Sequence, residues 1–550
     1  MIITELLERN ARIAGSEVAL TELNPSIRPR KESWTEFNLI EEGTDPRVRR
    51  EMTWGEFDAK ANRVANLLIS CGVKKDDKIA ILLMNCLEWL PIYFGVLKTG
   101  AIAVPMNYRY TADEIRYCLD LSDSKILIFG EEFISRVETI LPELGNMSAL
   151  FYANSAMHAA PCPSFAKDLV EVMEFASCKK PDIADTLTED DNAAIYFSSG
   201  TTGFPKAILH AHRSLIHACR VEQAHHAQTR DDVFICIPPL YHTGAKMHWF
   251  GSLLSCSRAV LLRGVTPEWI IRTAAVEKAT IVWLLVPWAQ DILDSIERGD
   301  IDLSEFDLSH WRLMHIGAQP VPPSLIKRWK KYFPNHEYDT NYGLSESIGP
   351  GAVHLGVENI GHVGAIGKAG YGWKTRICDE NGNDVKAGEV GELWLSGPGV
   401  MKCYYKNPQA TAESIVGEWL RTGDMAREDE EGFIYLVDRK KDVIITGGEN
   451  LYPVQIEDFL RGNEHVKDVA VIGLPDKRLG EIAAAIIELK PGHTCTEEDI
   501  VEFCTGLPRY KRPRKIIFAD VPRNPTGKIE KPKLRKMYCG ERLVEAQTKA

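Results

Sequence analysis

The chain has 550 residues, of which 45% are hydrophobic and 26% charged, with 41 glycines and 29 prolines. At ~150 residues per domain this exceeds one core and predicts roughly three to four structural units, while the near-average composition excludes collagen-like, disordered and coiled-coil classes. Lys and Arg total 65 against 77 Asp and Glu, a formal charge of −12, so no general basic face for nucleic acid is expected and any phosphate site must be assembled locally.

The thirteen cysteines show no CxxC pair and no zinc-type spacing, which predicts free thiols in a reducing compartment and a cytoplasmic location. The amino terminus, MIITELLERNARIAG, has acidic residues and no apolar stretch of signal-peptide length. No later window reaches the ~18 apolar residues of a membrane span.

From Asp77 to Phe129 short apolar runs (Ile79 to Met84, Ala101 to Met106, Lys125 to Phe129) alternate with helical stretches, the pattern of a parallel sheet with crossover helices. The alternation returns between Val233 and Tyr342, where FICIP, AVLLRG, IVWLLVP, LMHIGA and HEYDTNYG are separated by PEWIIRTAAVEKA, PWAQDILDSIERG and PPSLIKRWKKYF. Two doubly wound α/β layers, mixed or parallel, follow. From Gly361 to about Leu436 short strands with Asn-Gly and Gly-rich turns predict a barrel-like β subdomain. After Arg439 a small α+β module is expected, with helix Pro453 to Leu460, hairpin Val466 to Leu489 and helix Glu497 to Phe503. The expected domains are 1–438, including the β-rich part at about 361–438, and 439–550.

The strongest local signal is an apolar strand followed by Ser198-Ser199-Gly200-Thr201-Thr202-Gly203-Phe204-Pro205-Lys206. Glycines without Cβ atoms let backbone N–H groups approach phosphate oxygens, and the hydroxyls and lysine add donors, so the run predicts a triphosphate cradle. It is not the GxxxxGK[ST] loop, since the lysine follows a proline. The run resembles the phosphate loop of the class I adenylate-forming enzymes, which include acyl-CoA and aryl-CoA synthetases, amino-acid adenylation domains and beetle luciferases.

The family's other motifs follow in order. Asn341-Tyr342-Gly343-Leu344-Ser345-Glu346 is similar to its YGxTE element, in which the aromatic stacks on adenine, the hydroxyl reaches phosphate and the carboxylate serves Mg²⁺. An aromatic face suits a base, and a glutamate beside phosphates suits a hard cation between them. Trp419-Leu-Arg-Thr422-Gly423-Asp424 matches W-x-x-TGD, whose aspartate binds both ribose hydroxyls. Asp438-Arg439-Lys440-Lys441-Asp442 with the later Gly447-Gly448 resembles the interdomain element. There the resemblance implies that Arg439 touches ribose, Lys441 is the hinge, and Gly447 and Gly448 line a pantetheine tunnel. Pro525-Thr526-Gly527-Lys528 looks like the terminal loop whose lysine is the catalytic cation of adenylation.

The resemblance spans about residues 50 to 530 and implies ATP, Mg²⁺ held by Glu346, and coenzyme A. It further implies CoA nucleotide contacts at Tyr510, Arg512 and Arg514, the alternative being a solvated basic loop. The acyl pocket is expected among His242, Thr243, Gly244 and Met247, then Ile316, Gly317 and Ala318, then Ile348 and Gly349. His242 would sit beside the carboxylate. Amino-acid-activating relatives carry an aspartate there, so an amino acid substrate is not expected. Gly244, aromatic in some hydroxycinnamate ligases, would deepen the pocket. Lys246 either pairs with a second carboxylate in the pocket or supports a surface. Departures from the pattern are Ala207, Cys403 and Thr340, the last lying near the α-phosphate. The histidines His210, His212, His217, His225 and His226 lack HExxH or Cys/His spacing, and no metal site is read from them.

The implied activity is two-step formation of an acyl-CoA from a fatty, alicyclic or aromatic acid. Its rivals are an acyl-AMP ligase serving a carrier-protein phosphopantetheine and a nucleotide-binding regulator without catalysis. The expected partners are small molecules, with no nucleic acid, no membrane span and a family-based homodimer.

Overall fold

The computed structural model describes residues 1–23, 49–153, 160–198, 205–262, 266–317, 321–355, 361–447, 449–523 and 529–539. By packing, the chain divides into two compact units: Met1–Thr375 with Leu395–Leu420, and Arg376–Trp394 with Arg421–Ala550. Pairing of Asp424 with Arg439 across the hairpin of Trp419–Glu428 and Ile434–Arg439 groups residues 421–438 with the later chain. The packing boundary here, between Leu420 and Arg421, therefore differs from the expected division at 438/439.

The first unit holds two mixed α/β sheets. One has nine strands, in the order Lys368–Ala369, Ala352–Leu355, Glu337–Tyr342, Leu313–Gly317, Ile281–Leu285, Val233–Cys236, Arg258–Leu262, Val18–Leu23 and Arg49–Thr53. Its six middle strands run parallel and its edges antiparallel. The other has eight strands, with a parallel centre built on Ile102–Pro105, Lys78–Leu82 and Ser124–Phe129, and an antiparallel edge of Asn192–Ser198, Lys206–Ala211 and Cys403–Tyr404. Strands such as IVWLL and KIAIL carry apolar residues at consecutive positions because both faces are covered.

The helix Trp89–Lys98 is buried at every position, which is why its sequence lacks a polar stripe. Lys98 is tolerated there because Asp58 (2.7 Å), Asn62 (2.8 Å) and Glu8 (3.1 Å) accept from its ammonium. Among the described residues no helix is long and apolar enough to cross a membrane, and all thirteen cysteines are free thiols.

In the second unit Gly480–Leu489 pairs with Val466–Asp476 antiparallel and with Lys515–Phe518 parallel, and Ile444–Thr446 pairs with Glu449–Leu451. Helices Pro453–Arg461 and Glu497–Phe503 complete the expected α+β module.

Candidate functional site

In the first unit the site grows from the carboxyl ends of neighbouring strands, where open α/β sheets bind ligands. Leu313, Met314 and His315 pair in register with Glu337, Tyr338 and Asp339, so Ile316 and Gly317 run out beside Thr340, Asn341 and Tyr342. The chain then makes a tight reversal. Gly351 donates to the Tyr342 carbonyl at 2.8 Å, Ile348 adopts φ +46°, and a Cβ on Gly343 would lie 2.6 Å from the Gly349 oxygen. Only glycine fits at 343, and the left-handed Ile348 stores backbone strain of the kind concentrated at ligand sites.

That reversal aims the YGLSE hydroxyl and carboxylate at partners distant in sequence. The Ser345 carbonyl lies 2.8 Å from Nε2 of His210, and its Oγ lies 3.3 Å from Oγ1 of Thr243. Glu346 accepts from the Tyr404 hydroxyl at 2.8 Å, while its carbonyl accepts from the Met401 N–H at 2.8 Å. The ammonium of Lys206 lies 4.9 Å from the centroid of the Tyr404 ring. Thus Lys206, Thr243, Ser345 and Glu346 are gathered by direct contacts or a shared neighbour. Tyr404, which sequence reasoning did not single out, is that neighbour. It is positioned because Cys403–Tyr404 pairs with Leu209 and Ile208.

His242 caps the helix Thr243–Ser255, with Nδ1 accepting from the Gly244 N–H at 3.1 Å. This fixes the neutral ring as the Nε2–H tautomer. A Cβ on Gly244 would meet Nδ1 of His242 at 3.1 Å and Cη2 of Trp283 at 3.3 Å. The expected deepening at Gly244 is therefore corrected: the Trp283 indole occupies that space. Trp283 also borders Gly317, where a Cβ would lie 4.0 Å from Nε1 and 3.8 Å from Nε2 of His315.

Lys246 does not support a surface. It is fully buried, without a hydrogen-bond partner, and its ammonium lies 4.2, 4.5 and 5.0 Å from the rings of Tyr196, Tyr93 and Trp89. Burial pulls its pKa well below the usual lysine range.

Beyond Trp283 the interior turns polar. The ring centroid of His248 is 4.3 Å from that of Trp283 and 4.2 Å from that of His315. Its Nδ1 lies 2.7 Å from Oε2 of Glu222. His225, His226 and Asp339 adjoin the same group. Burial raises Glu222 and Asp339 to about 7 and depresses all four imidazoles.

In the second unit Asp424 and Arg439 are direct cross-strand partners, Nε to Oδ1 at 2.8 Å. Only 7% of the Asp424 side chain is exposed, against 46% for Arg439, so the pair presents mainly its guanidinium. Glu392, another residue missed from sequence, braces the segment by accepting from Arg421 (3.0 Å), Lys440 (3.2 Å) and the Gly423 N–H (3.2 Å). Burial would raise the Glu392 pKa, but Arg421 and Lys440 hold it below the ordinary value.

Lys441 lies in the short 3₁₀ turn Lys440–Asp442. On either side Asp438 accepts from the Val454 N–H (2.9 Å) and Asp442 pairs with Arg535 (2.7 Å), while Lys531 pairs with Glu457 at 2.8 Å. Gly447 takes φ +60° and donates to Leu479 at 2.8 Å. In the basic loop Tyr510 and Arg514 are exposed. Arg512 instead donates to the Leu507 (2.9 Å) and Thr505 (2.8 Å) carbonyls, which commits much of its guanidinium to its own loop. Ser199, Gly200, Thr201, Thr202, Gly203, Ala318, Gly448 and Lys528 lie outside the described residues, as does the side chain of Met247.

A family model described as AMP-binding enzyme matches residues 39–405, and one described as AMP-binding enzyme C-terminal domain matches 455–528. The chain is 33% identical over 524 residues to the long-chain-fatty-acid–CoA ligase FadD13 of Mycobacterium tuberculosis, covering 93% of this chain and 96% of that protein. Among solved structures, the anthranilate CoA ligase AuaEII in complex with anthranoyl-AMP superposes with TM-score 0.82 at 25% identity, covering 99% of this chain and 98% of the other. ATP-bound MatB from Rhodopseudomonas palustris gives TM-score 0.82 at 25% identity, covering 98% and 99%.

Proposed function

We propose, on the premise that this chain belongs to the AMP-binding enzyme family of adenylate-forming enzymes, that it joins a carboxylic acid to coenzyme A in two steps. The acid's carboxylate attacks the α-phosphate of ATP, forming an acyl-adenylate and expelling pyrophosphate. The CoA thiol then attacks the acyl carbonyl, and AMP leaves. The observation that supports this best is the gathering of Lys206, Thr243, Ser345 and Glu346 at the carboxyl ends of the strands.

In the first step an anion meets a polyanion, so the barrier is largely electrostatic and oriented donors lower it. The residue 198–203 loop, Lys206 and the Ser345 hydroxyl would orient the phosphates, with Lys528 as the catalytic cation. Tyr342 would pack on adenine, with Thr340 and Asn341 beside it, while Asp424 and Arg439 would hold the ribose hydroxyls. The half-exposed Glu346 carboxylate, held by a neutral phenol, fits a divalent ion, and Mg²⁺ bound there would supply positive charge against the phosphates. In the second step residues after Lys441 would turn about that hinge, withdrawing Lys528 and bringing Gly447 and Gly448 to the pantetheine, with Tyr510 and Arg514 toward the CoA nucleotide.

His242 would meet the substrate carboxylate through its Nε2–H. The indole of Trp283 beside Gly244 and Gly317 favours a compact aromatic or alicyclic acid over an extended chain. Trp283→Ala is expected to shift preference toward longer acids, read as the ratio of kcat/KM for octanoate and benzoate.

Pyrophosphate release across an acid panel, with and without CoA, tests the whole reading. CoA-dependent thioester formation is the expected result. Release of pyrophosphate with transfer only to a carrier-protein phosphopantetheine would replace CoA as acceptor, and no release with any acid would point to a nucleotide-binding regulator.

A further inference from the structure

Six side chains meet in the interior of the first unit, on four separate elements. Glu222, His225 and His226 come from the end of the helix His212–His225, His248 from the helix Thr243–Ser255, His315 from the strand Leu313–Gly317, and Asp339 from the strand Glu337–Tyr342. All are buried. Both ring nitrogens of His225, Nδ1 of His226, Nε2 of His315 and Oε1 of Glu222 lack a hydrogen-bond partner.

Leaving a buried polar atom unmatched is costly, and Nε2 of His225, 3.5 Å from Oδ2 of Asp339, is one that a shared cation would satisfy. Lys98 is surrounded by three acceptors, and the buried Glu22 pairs with Arg50. The six-residue cluster instead contains two carboxylates and no permanent cation. Its nearby guanidinium, Arg312, is committed to Asp232 at 2.9 and 3.1 Å and to the His226 carbonyl at 2.9 Å.

The geometry points to a resident divalent metal, and we propose that His225, His226, His315 and Asp339 form a tetrahedral zinc site of three imidazoles and one carboxylate. Nε2 of His226 lies 3.4 Å from Nδ1 of His315 and 3.7 Å from Oδ2 of Asp339, and Nε2 of His225 lies 3.5 Å from the same oxygen. Zinc bonds of ~2.0–2.1 Å set tetrahedral ligand atoms about 3.4 Å apart. Nδ1 of His315 and Oδ1 of Asp339 already share a hydrogen bond, which metal binding would replace by two coordinate bonds. Glu222, bonded to His248 and 3.7 Å from Nε2 of His226, supplies the second negative charge that balances a dication. Four protein ligands make this a structural, closed site, separate from the Mg²⁺ expected at Glu346. No single stretch of sequence carries the spacing, because the donors converge only in the fold.

The test is metal content. Untagged protein from zinc-supplemented culture, dialysed exhaustively, is expected to keep one zinc per chain by inductively coupled plasma mass spectrometry. His226→Ala and Asp339→Asn are expected to lose it. Chelator treatment should lower the melting temperature and zinc re-addition restore it. Should either variant fail to fold, wild-type protein reconstituted with cobalt(II) gives an independent readout: the intense visible absorption of a tetrahedral site is expected. Zinc far below one per chain together with no thermal gain on adding zinc would overturn the proposal. So would zinc retained unchanged in a folded variant, or only the weak absorption of octahedral cobalt.

Discussion

The two motif carboxylates are held in opposite ways. Glu346, in the first unit, receives a hydrogen bond from the neutral phenol of Tyr404, whereas Asp424, in the second, is matched to the guanidinium of Arg439. A phenol orients a carboxylate without bringing a compensating charge, which suits Glu346 to a cation. Arg439 offsets the charge of Asp424, which would suit the pair to hydroxyl groups. On the proposed reading, these partners fit Glu346 to charge stabilisation and Asp424 to ground-state binding.

Four measurements break or sharpen that contrast. Glu346→Gln keeps the shape and removes the charge, and is expected to slow acyl-adenylate formation ~10²–10³-fold with a higher apparent Mg²⁺ requirement. Lys441→Pro, which fixes φ near the second-unit pair, is expected to slow thioester formation from supplied adenylate roughly tenfold or more while leaving adenylate formation closer to normal. Asp424→Asn is expected to raise the KM for ATP about tenfold, near 1.4 kcal/mol, with a smaller change in kcat. If it lowered kcat as much as Glu346→Gln does, the contrast would fail. Tyr404→Phe removes only the phenol that orients Glu346, so single-turnover adenylation should fall just a few-fold, about 1 kcal/mol.

The alternation of apolar runs with helices made both first-unit sheets legible, because strands covered on two faces must be apolar at successive positions. The adenylate motifs were equally legible, since each is contiguous. What escaped was contact between distant segments. Tyr404 reaches Glu346 across 58 positions, and His226 lies beside His315 across 89. The empty space expected at Gly244 depended on Trp283, which arrives from the strand Ile281–Leu285. Arg512 was expected either at the CoA nucleotide or in a solvated basic loop, and its bonds to the Thr505 and Leu507 carbonyls depend on a local chain path that residue type does not reveal.

The distribution of thiols has a practical consequence. Cys71 and Cys178 are exposed, whereas Cys118, Cys219, Cys236 and Cys256 are interior and burial raises their pKa values. Maleimide dyes applied at neutral pH should therefore mark the larger unit first, without mutagenesis. Keeping one of these two thiols and adding one accessible thiol to the smaller unit would give a two-colour ruler that tests, one molecule at a time, whether the units move during turnover.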